Sequence, residues 1–193
     1  TETKRTIRVS EIFDIAYGSA PSDLRRFFED TVTIAYENEF GSHVALIEGT
    51  DEKVQRFTDL LFKAVLNGTK ALINHPAQIG GRVTDESTVS STVFLQPTAV
   101  IFNGPERVTI EISTVSNFEK KQRAVKGSKR PVLSVRHAQS MQEVVTEISL
   151  ESSRKMNVLG RFLRIEYSQL REKLQDIELT NTEIEVLIGR YSG

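Results

Sequence analysis

A β-hairpin is encoded by residues 98–115, which read TAVIFNGPERVTIEISTV. Two strand-like runs, 98–103 and 107–115, flank a turn that begins at Asn103 and Gly104. Asn-Gly readily adopts the positive φ angles that a tight hairpin turn needs. In the second run, valine and isoleucine alternate with threonine, glutamate and serine, so the apolar side chains share one face. We therefore predict a half-buried antiparallel hairpin with one wet face.

The residues around this hairpin are rich in Thr, Ser, Val and Ile, a composition typical of strands. Further strands are predicted at 70–74, 88–95, 132–136 and 141–151. The last of these has a helical alternative, because Ser140 and Glu143 would form a capping box. Its alternating apolar residues favour a strand. The centre of the chain, residues 70–151, is therefore predicted to be a mostly antiparallel β-sheet.

The N-terminal part, residues 1–69, is predicted to be rich in helices. A short helix is expected from Ser10 to Tyr17, a second helix over 19–30, and two strands at 31–36 and 43–48. A third helix should begin after Thr50, a plausible N-cap, with acidic residues in its first turn, where the helix dipole favours them. Gly68 should end that helix.

The C-terminal part is predicted to be a helical hairpin. Ser153 should cap a long amphipathic helix over 154–177, and a short helix that Gly189 ends should begin after Thr180. Helices, a β-rich centre and terminal helices predict an α+β fold. With 193 residues, we expect one domain spanning 1–193, helical at both ends.

Composition excludes several classes of function. The chain has no cysteine, so it has no disulfide, thiolate metal site or thiol nucleophile. A net charge of −1 excludes a uniformly basic nucleic-acid binder. No run of about 18 apolar residues could span a membrane, and residues 1–9 have no signal-peptide core. We therefore expect no membrane association, no secretion by a signal peptide, and a location in the cytoplasm or in a virion.

The near-zero charge hides an uneven distribution. Residues 119–136 carry seven basic side chains against one acidic side chain, a net of +6, whereas residues 1–118 carry a net of −5. The seven cations are Lys120, Lys121, Arg123, Lys126, Lys129, Arg130 and Arg136. Weak apolar periodicity, Gly127 and Pro131 predict a loop, or the tip of a long hairpin, over 117–131. Such a loop could be a solvated segment, or it could contact an acidic protein surface or the phosphates of nucleic acid.

The long C-terminal helix carries an apolar stripe. Its members are Leu159, Phe162, Leu163, Leu170 and Leu174. Such a stripe most often covers a sheet within the same domain. The alternative is an interface helix that packs against another subunit.

No catalytic, cofactor or metal site is predicted. His43, His75 and His137 are far apart in sequence, and none has a second ligand at helical spacing. Gly80-Gly81-Arg82 lacks the continuation of a phosphate-binding loop and is interpreted as a turn between strands. The chain contains no nucleophile elbow and no dinucleotide glycine fingerprint.

These observations predict a non-enzymatic structural or assembly protein that works in a homo-oligomer or with other protein subunits. A virion component of the capsid, neck or tail type fits the composition. The alternative is a nucleic-acid-binding accessory protein that uses the basic segment on phosphates. No cofactor is expected in either case.

Overall fold

The computed structural model describes residues 5–17, 30–84 and 87–175, and the side chains of residues 30, 174 and 175 fall outside this description. Strands take up more than half of the described residues. The elements in these ranges are β1 (Ile12–Tyr17), β2 (Asp30–Asn38), β3 (Gly41–Gly49), α1 (Asp51–Leu66), β4 (Lys70–Ile79), β5 (Arg82–Val83), β6 (Val89–Leu95), β7 (Ala99–Asn103), β8 (Arg107–Glu111), β9 (Val115–Val125), β10 (Ser128–Gln139), β11 (Gln142–Leu150) and α2 (Ser153–Gln175).

The strands form two antiparallel sheets. The small sheet has the order β1-β2-β3, and the large sheet has the order β8-β7-β6-β4-β11-β10-β9, with β5 paired to β4. Pairing of β4 with β11 joins the meander that runs through β6, β7 and β8 to the meander of β9, β10 and β11. This connection leaves β9 at one edge of the large sheet.

The predicted hairpin at 98–115 is present, but neither Asn103 nor Gly104 has a positive φ angle, so the predicted geometry of its turn is wrong. Ala99 pairs with Glu111 and Asn103 pairs with Arg107, and Val100 and Ile110 are buried. The second strand ends at Glu111, because a 3₁₀ turn over Ile112–Thr114 redirects the chain into β9. The predicted strand at 141–151 is also confirmed, as β11.

The predicted helix from Ser10 to Tyr17 is wrong. This segment is β1, preceded by a 3₁₀ turn over Val9–Glu11. β1 buries Ile12 and Ile15 and pairs with β2, and these distant contacts outweigh the weak local preference for a helix. Residues 19–29 of the helix predicted over 19–30 lie outside the described residues, and Asp30 is the first residue of β2.

The helix predicted after Thr50 is confirmed as α1, whose buried face includes Val54, Phe62 and Val65. Gly68 ends it with a φ of +79°. The side-chain oxygen of Asn67 accepts a hydrogen bond of 2.8 Å from the backbone N–H of Leu95, which fixes the end of α1 against β6.

Of the two interpretations of 117–131, the loop is wrong and the long hairpin is correct, because these residues belong to the paired strands β9 and β10 and the turn between them. An edge strand needs fewer apolar residues than a central strand, since charged side chains on an exposed edge prevent unwanted strand pairing. The many charged residues of β9 leave it without the apolar alternation from which a strand is usually predicted.

The long C-terminal helix is α2, which joins the two sheets by packing on β1 and on β10 and β11. Phe162 contacts Phe62 of α1 edge to face, with ring centroids 5.5 Å apart. The second helix of the predicted C-terminal hairpin lies outside the described residues. The α+β layout with N-terminal helices is thus wrong: the described chain is mainly β-sheet, with α1 and α2 packed on it.

Candidate protein-docking surface

The seven predicted cations lie on β9, β10 and the turn between them, residues 115–139, which we call the basic hairpin. Val125 pairs with Ser128 across a two-residue turn. Lys126 and Gly127 occupy this turn with φ angles of +48° and +80°. Positive φ at both central residues matches the twist of the flanking strands, so the hairpin is a regular element.

Three of the cations are bound by carboxylates. Arg123 contacts Glu147 at 3.1 Å, Arg136 contacts Glu143 at 2.6 Å, and Lys121 contacts Glu119 at 2.5 Å. Glu147 and Glu143 both lie on β11, so the first two pairs connect the basic hairpin to that strand. These three cations therefore have local acidic partners and add little positive field.

Three other cations have no ion pair with any described residue. They are Lys126, Lys129 and Arg130, all exposed at the end of the hairpin, and we call them the tip cations. Lys129 and Arg130 lie on the part of β10 that pairs with β9 alone, because the pairing of β10 with β11 begins at Leu133. Their charges therefore lie where the hairpin extends past β11.

Arg130 lies directly opposite Arg123 in the pairing of β10 with β9. Like charges directly opposite each other on neighbouring strands destabilise a sheet. The contact of Arg123 with Glu147 offsets part of this repulsion, whereas Arg130 has no ion pair with any described residue. A local arrangement that costs stability is expected where a residue serves binding.

The remaining cation, Lys120, points to the opposite side of the hairpin from Arg123. Its ammonium group donates a hydrogen bond to the side-chain amide oxygen of Asn157 on α2. An amide oxygen is neutral, so the positive charge of Lys120 is not compensated by this contact. The contact also places a cation of the hairpin beside α2.

The predicted interface helix is largely occupied within the chain. Leu159, Phe162 and Leu163 are buried in the core that α2 forms with the sheets, as the intramolecular interpretation predicts for such a stripe. Leu170 is half-buried. The side chain of Leu174 lies outside the described residues. An intersubunit role of the stripe stays a prediction, with Leu170 as its accessible member.

Two of the three histidines lie together in the structure. The rings of His75 and His137 stack 5.9 Å apart, and both bind the Thr146 hydroxyl, at 2.7 Å and 2.8 Å. Burial, with a smaller contribution from His75, lowers the pKa of His137 to about 4. Among the described residues, no group of three or more His, Cys, Asp or Glu side chains could hold a metal ion.

Gly80 and Gly81 form the predicted turn between β4 and β5. In the described ranges, neither helix combines the length and apolar composition that a membrane crossing requires. The strand-rich fold and its exposed charged hairpin are those of a binding module.

The chain belongs to the family of the archaeal chemotaxis signal transduction system protein F, whose family model matches residues 1–169. Taxis protein CheF2 of Halobacterium salinarum is 47 % identical over 192 residues, which cover 100 % of this chain and 67 % of that relative. Taxis protein CheF1 of the same organism is 28 % identical over 196 residues, covering 100 % of this chain and 65 % of the relative. The chain thus spans about two thirds of the length of these two relatives.

Membership in a chemotaxis signalling family overturns the prediction of a structural component of a virion. Proteins of this family are non-enzymatic and of the adaptor type, which confirms the prediction that the chain is not an enzyme. A signalling protein acts with other proteins of its system, so the coarse prediction of protein partners also holds. Neither the family nor the relatives support nucleic-acid binding. Homo-oligomer formation and location in the cytoplasm stay predictions.

Proposed function

We propose that this protein is an adaptor of the taxis signalling system and that its basic hairpin docks on an acidic surface of another protein of that system. The observation that carries the proposal is the group of tip cations, which are exposed and have no ion pair among the described residues. Complementary charge selects a partner and accelerates its association.

The distribution of charge supports docking through the hairpin. The segment 119–136 carries a net of +6 in a chain whose total is −1, and four of its cations, the tip cations and Lys120, have no carboxylate partner among the described residues. The field is therefore directional, and it attracts an acidic surface to one end of the molecule while the remainder repels it. A reversible signalling contact is well served by this arrangement, because electrostatic steering raises the association rate without requiring a large apolar interface.

Charge reversal at the hairpin tip tests the proposal. The triple variant Lys126→Glu, Lys129→Glu, Arg130→Glu should retain its fold, since Arg130→Glu replaces a repulsive pair with an attractive one opposite Arg123. A tagged chain is expressed in the archaeon that carries it, and the taxis proteins that co-purify are quantified by mass spectrometry. We expect the variant to lose at least about tenfold in recovery, the equivalent of about 1.4 kcal/mol.

The matched control is Lys53→Glu, Arg56→Glu, Arg82→Glu, which changes the net charge equally at exposed positions away from the hairpin. This control should recover the taxis proteins as the unaltered chain does. If the tip variant and the control behave alike, whether both retain or both lose the partners, the basic hairpin is not the docking element and the proposal fails.

A further inference from the structure

A cleft of about 460 Å³ lies between the basic hairpin and α2. Phe118 and Leu133 contribute an apolar part of its wall from the hairpin, and Asn157, Gly160 and Arg164 line it from the helix. The cleft opens on the side of the hairpin to which Lys120 points. Its volume accommodates a short peptide segment.

The charge of the cleft is not balanced. The guanidinium of Arg161 donates two hydrogen bonds, of 2.9 Å and 3.0 Å, to the carboxylate of Asp14 on β1. These two charges therefore compensate each other. This hydrogen bonding raises the pKa of Arg161. Lys120 is bound to a neutral amide, and Arg164 is exposed and has no ion pair with the described residues. Glu119, which also lines the cleft, is paired with Lys121. Lys120 and Arg164 are therefore the two lining cations that have no carboxylate partner among the described residues.

The backbone of α2 leaves room for a ligand at Gly160. A Cβ atom built on this residue would meet no other atom within 4 Å. Glycine in a helix interior destabilises the helix by roughly 0.5–1 kcal/mol relative to alanine, and here no close packing requires it. The missing side chain keeps the cleft open between Arg161 and Arg164, one turn of helix apart.

We propose that this cleft receives an aspartate or glutamate side chain of the partner protein, held by Arg164 and Lys120, with an apolar neighbour of that residue on Phe118. The inference rests on the proposed function, and it names the point at which an acidic partner is bound. Arginine can hold a carboxylate through two parallel hydrogen bonds, which adds direction to the long-range attraction of the tip cations.

The binding test uses a fluorescein-labelled peptide of alternating Glu and Leu residues as the probe and its Gln-Leu counterpart as the neutral control. Fluorescence anisotropy at low salt measures the affinity of each peptide for the full chain. The unaltered chain should prefer the Glu-Leu peptide. Arg164→Gln should weaken that binding about tenfold, as expected for loss of a charge-assisted hydrogen bond, and Arg56→Gln on α1 should leave it unchanged.

Gly160→Phe is the second variant. The open space at Gly160 means that the new ring occupies the cleft without displacing the core, and circular dichroism verifies the fold. Binding of the Glu-Leu peptide should be lost. Ala64→Phe adds the same ring at an exposed position of α1 and should bind as the unaltered chain does. Equal affinity for the two peptides, or equal affinity of Gly160→Phe and Ala64→Phe, overturns the inference.

Inorganic phosphate serves as the competitor. At the ionic strength of the assay, phosphate should displace the labelled probe much less than unlabelled Glu-Leu peptide does. If phosphate displaces the probe as well as the unlabelled peptide does, and if this displacement requires Arg164, the cleft is an anion site of another class and the inference fails.

The co-purification experiment separates this inference from the proposed function. Loss of taxis proteins in the tip variant but not in Gly160→Phe or Arg164→Gln would leave the adaptor proposal intact and reject the cleft. Retention of those proteins in every variant would reject both. Loss in the tip variant and in the two cleft variants, with the α1 controls unaffected, is the expected result.

Discussion

The paired histidines show how one residue can make the stability of the protein depend on pH. His137 is 2 % exposed and shares the Thr146 hydroxyl with His75. Burial lowers the pKa of His137 from its usual 6.5 to about 4, so the folded chain keeps this ring neutral at pH 7. The unfolded chain protonates the same ring below its ordinary pKa, and acid therefore favours unfolding.

We expect the free energy of unfolding to fall as the pH decreases from 6.5 towards 4, by at most about 3 kcal/mol for this residue. Stability is fully present above pH 6.5 and its loss levels off below the folded pKa. Urea unfolding at a series of pH values measures the dependence. His137→Gln, which cannot titrate, should be less stable at pH 7 but should lose less on acidification. Equal slopes for the two proteins would show that His137 is not responsible.

At the scale of single residues, the sequence indicates which groups carry charge but not which of them are neutralised. Lys121 and Lys129 look equivalent in the sequence, yet Lys121 is paired with Glu119 and Lys129 has no such partner among the described residues. The sequence does not connect Arg164 with the basic hairpin, because this residue is distant in sequence and lies on α2. Its position four residues after Gly160 was the one available hint.

The turn of the basic hairpin is the element-scale feature whose energetics can be tested most directly. Lys126 adopts a φ of +48°, a left-handed conformation that costs an ordinary side chain roughly 1–2 kcal/mol. Asn tolerates it far better and, followed by Gly127, gives the preferred Asn-Gly turn.

Lys126→Asn should therefore raise the free energy of unfolding by about 0.5–1 kcal/mol. Lys126→Val, whose β-branched side chain is poorly suited to positive φ, should lower it. Urea unfolding of both variants against the unaltered chain measures the difference. A ranking in which valine equals or exceeds asparagine would contradict the assigned turn geometry.

Local signals predicted some elements of this fold well and others poorly. α1 was predictable because acidic residues, an apolar stripe and Gly68 all agree over one short segment. β1 was not, since its identity depends on pairing with β2, from which it is separated by residues 18–29. The basic hairpin stayed an alternative to a loop for a different reason: β9 has one edge free, so its sequence follows the needs of solvent and binding more than those of a core.

At the scale of the whole molecule, α2 determines whether the two sheets behave as one unit. It packs on β1 of the small sheet and on β10 and β11 of the large sheet. Its Phe162 is 4 % exposed and contacts Phe62 of α1. The ion pair of Arg161 with Asp14 adds a polar connection between α2 and β1. A defect in the centre of α2 should therefore reach both sheets.

We expect Phe162→Ala to lower the free energy of unfolding by about 3–5 kcal/mol, because it leaves a cavity at this junction. Unfolding should remain a single transition, as the prediction of one domain requires. Hydrogen exchange followed by mass spectrometry reports β2 and β10 separately, and their slowest amides should lose protection by the same factor. Leu60→Ala, at a position 58 % exposed on α1, should change protection little. Faster exchange in one sheet alone would show that the small and large sheets unfold independently, and the core around α2 would then be two cores rather than one.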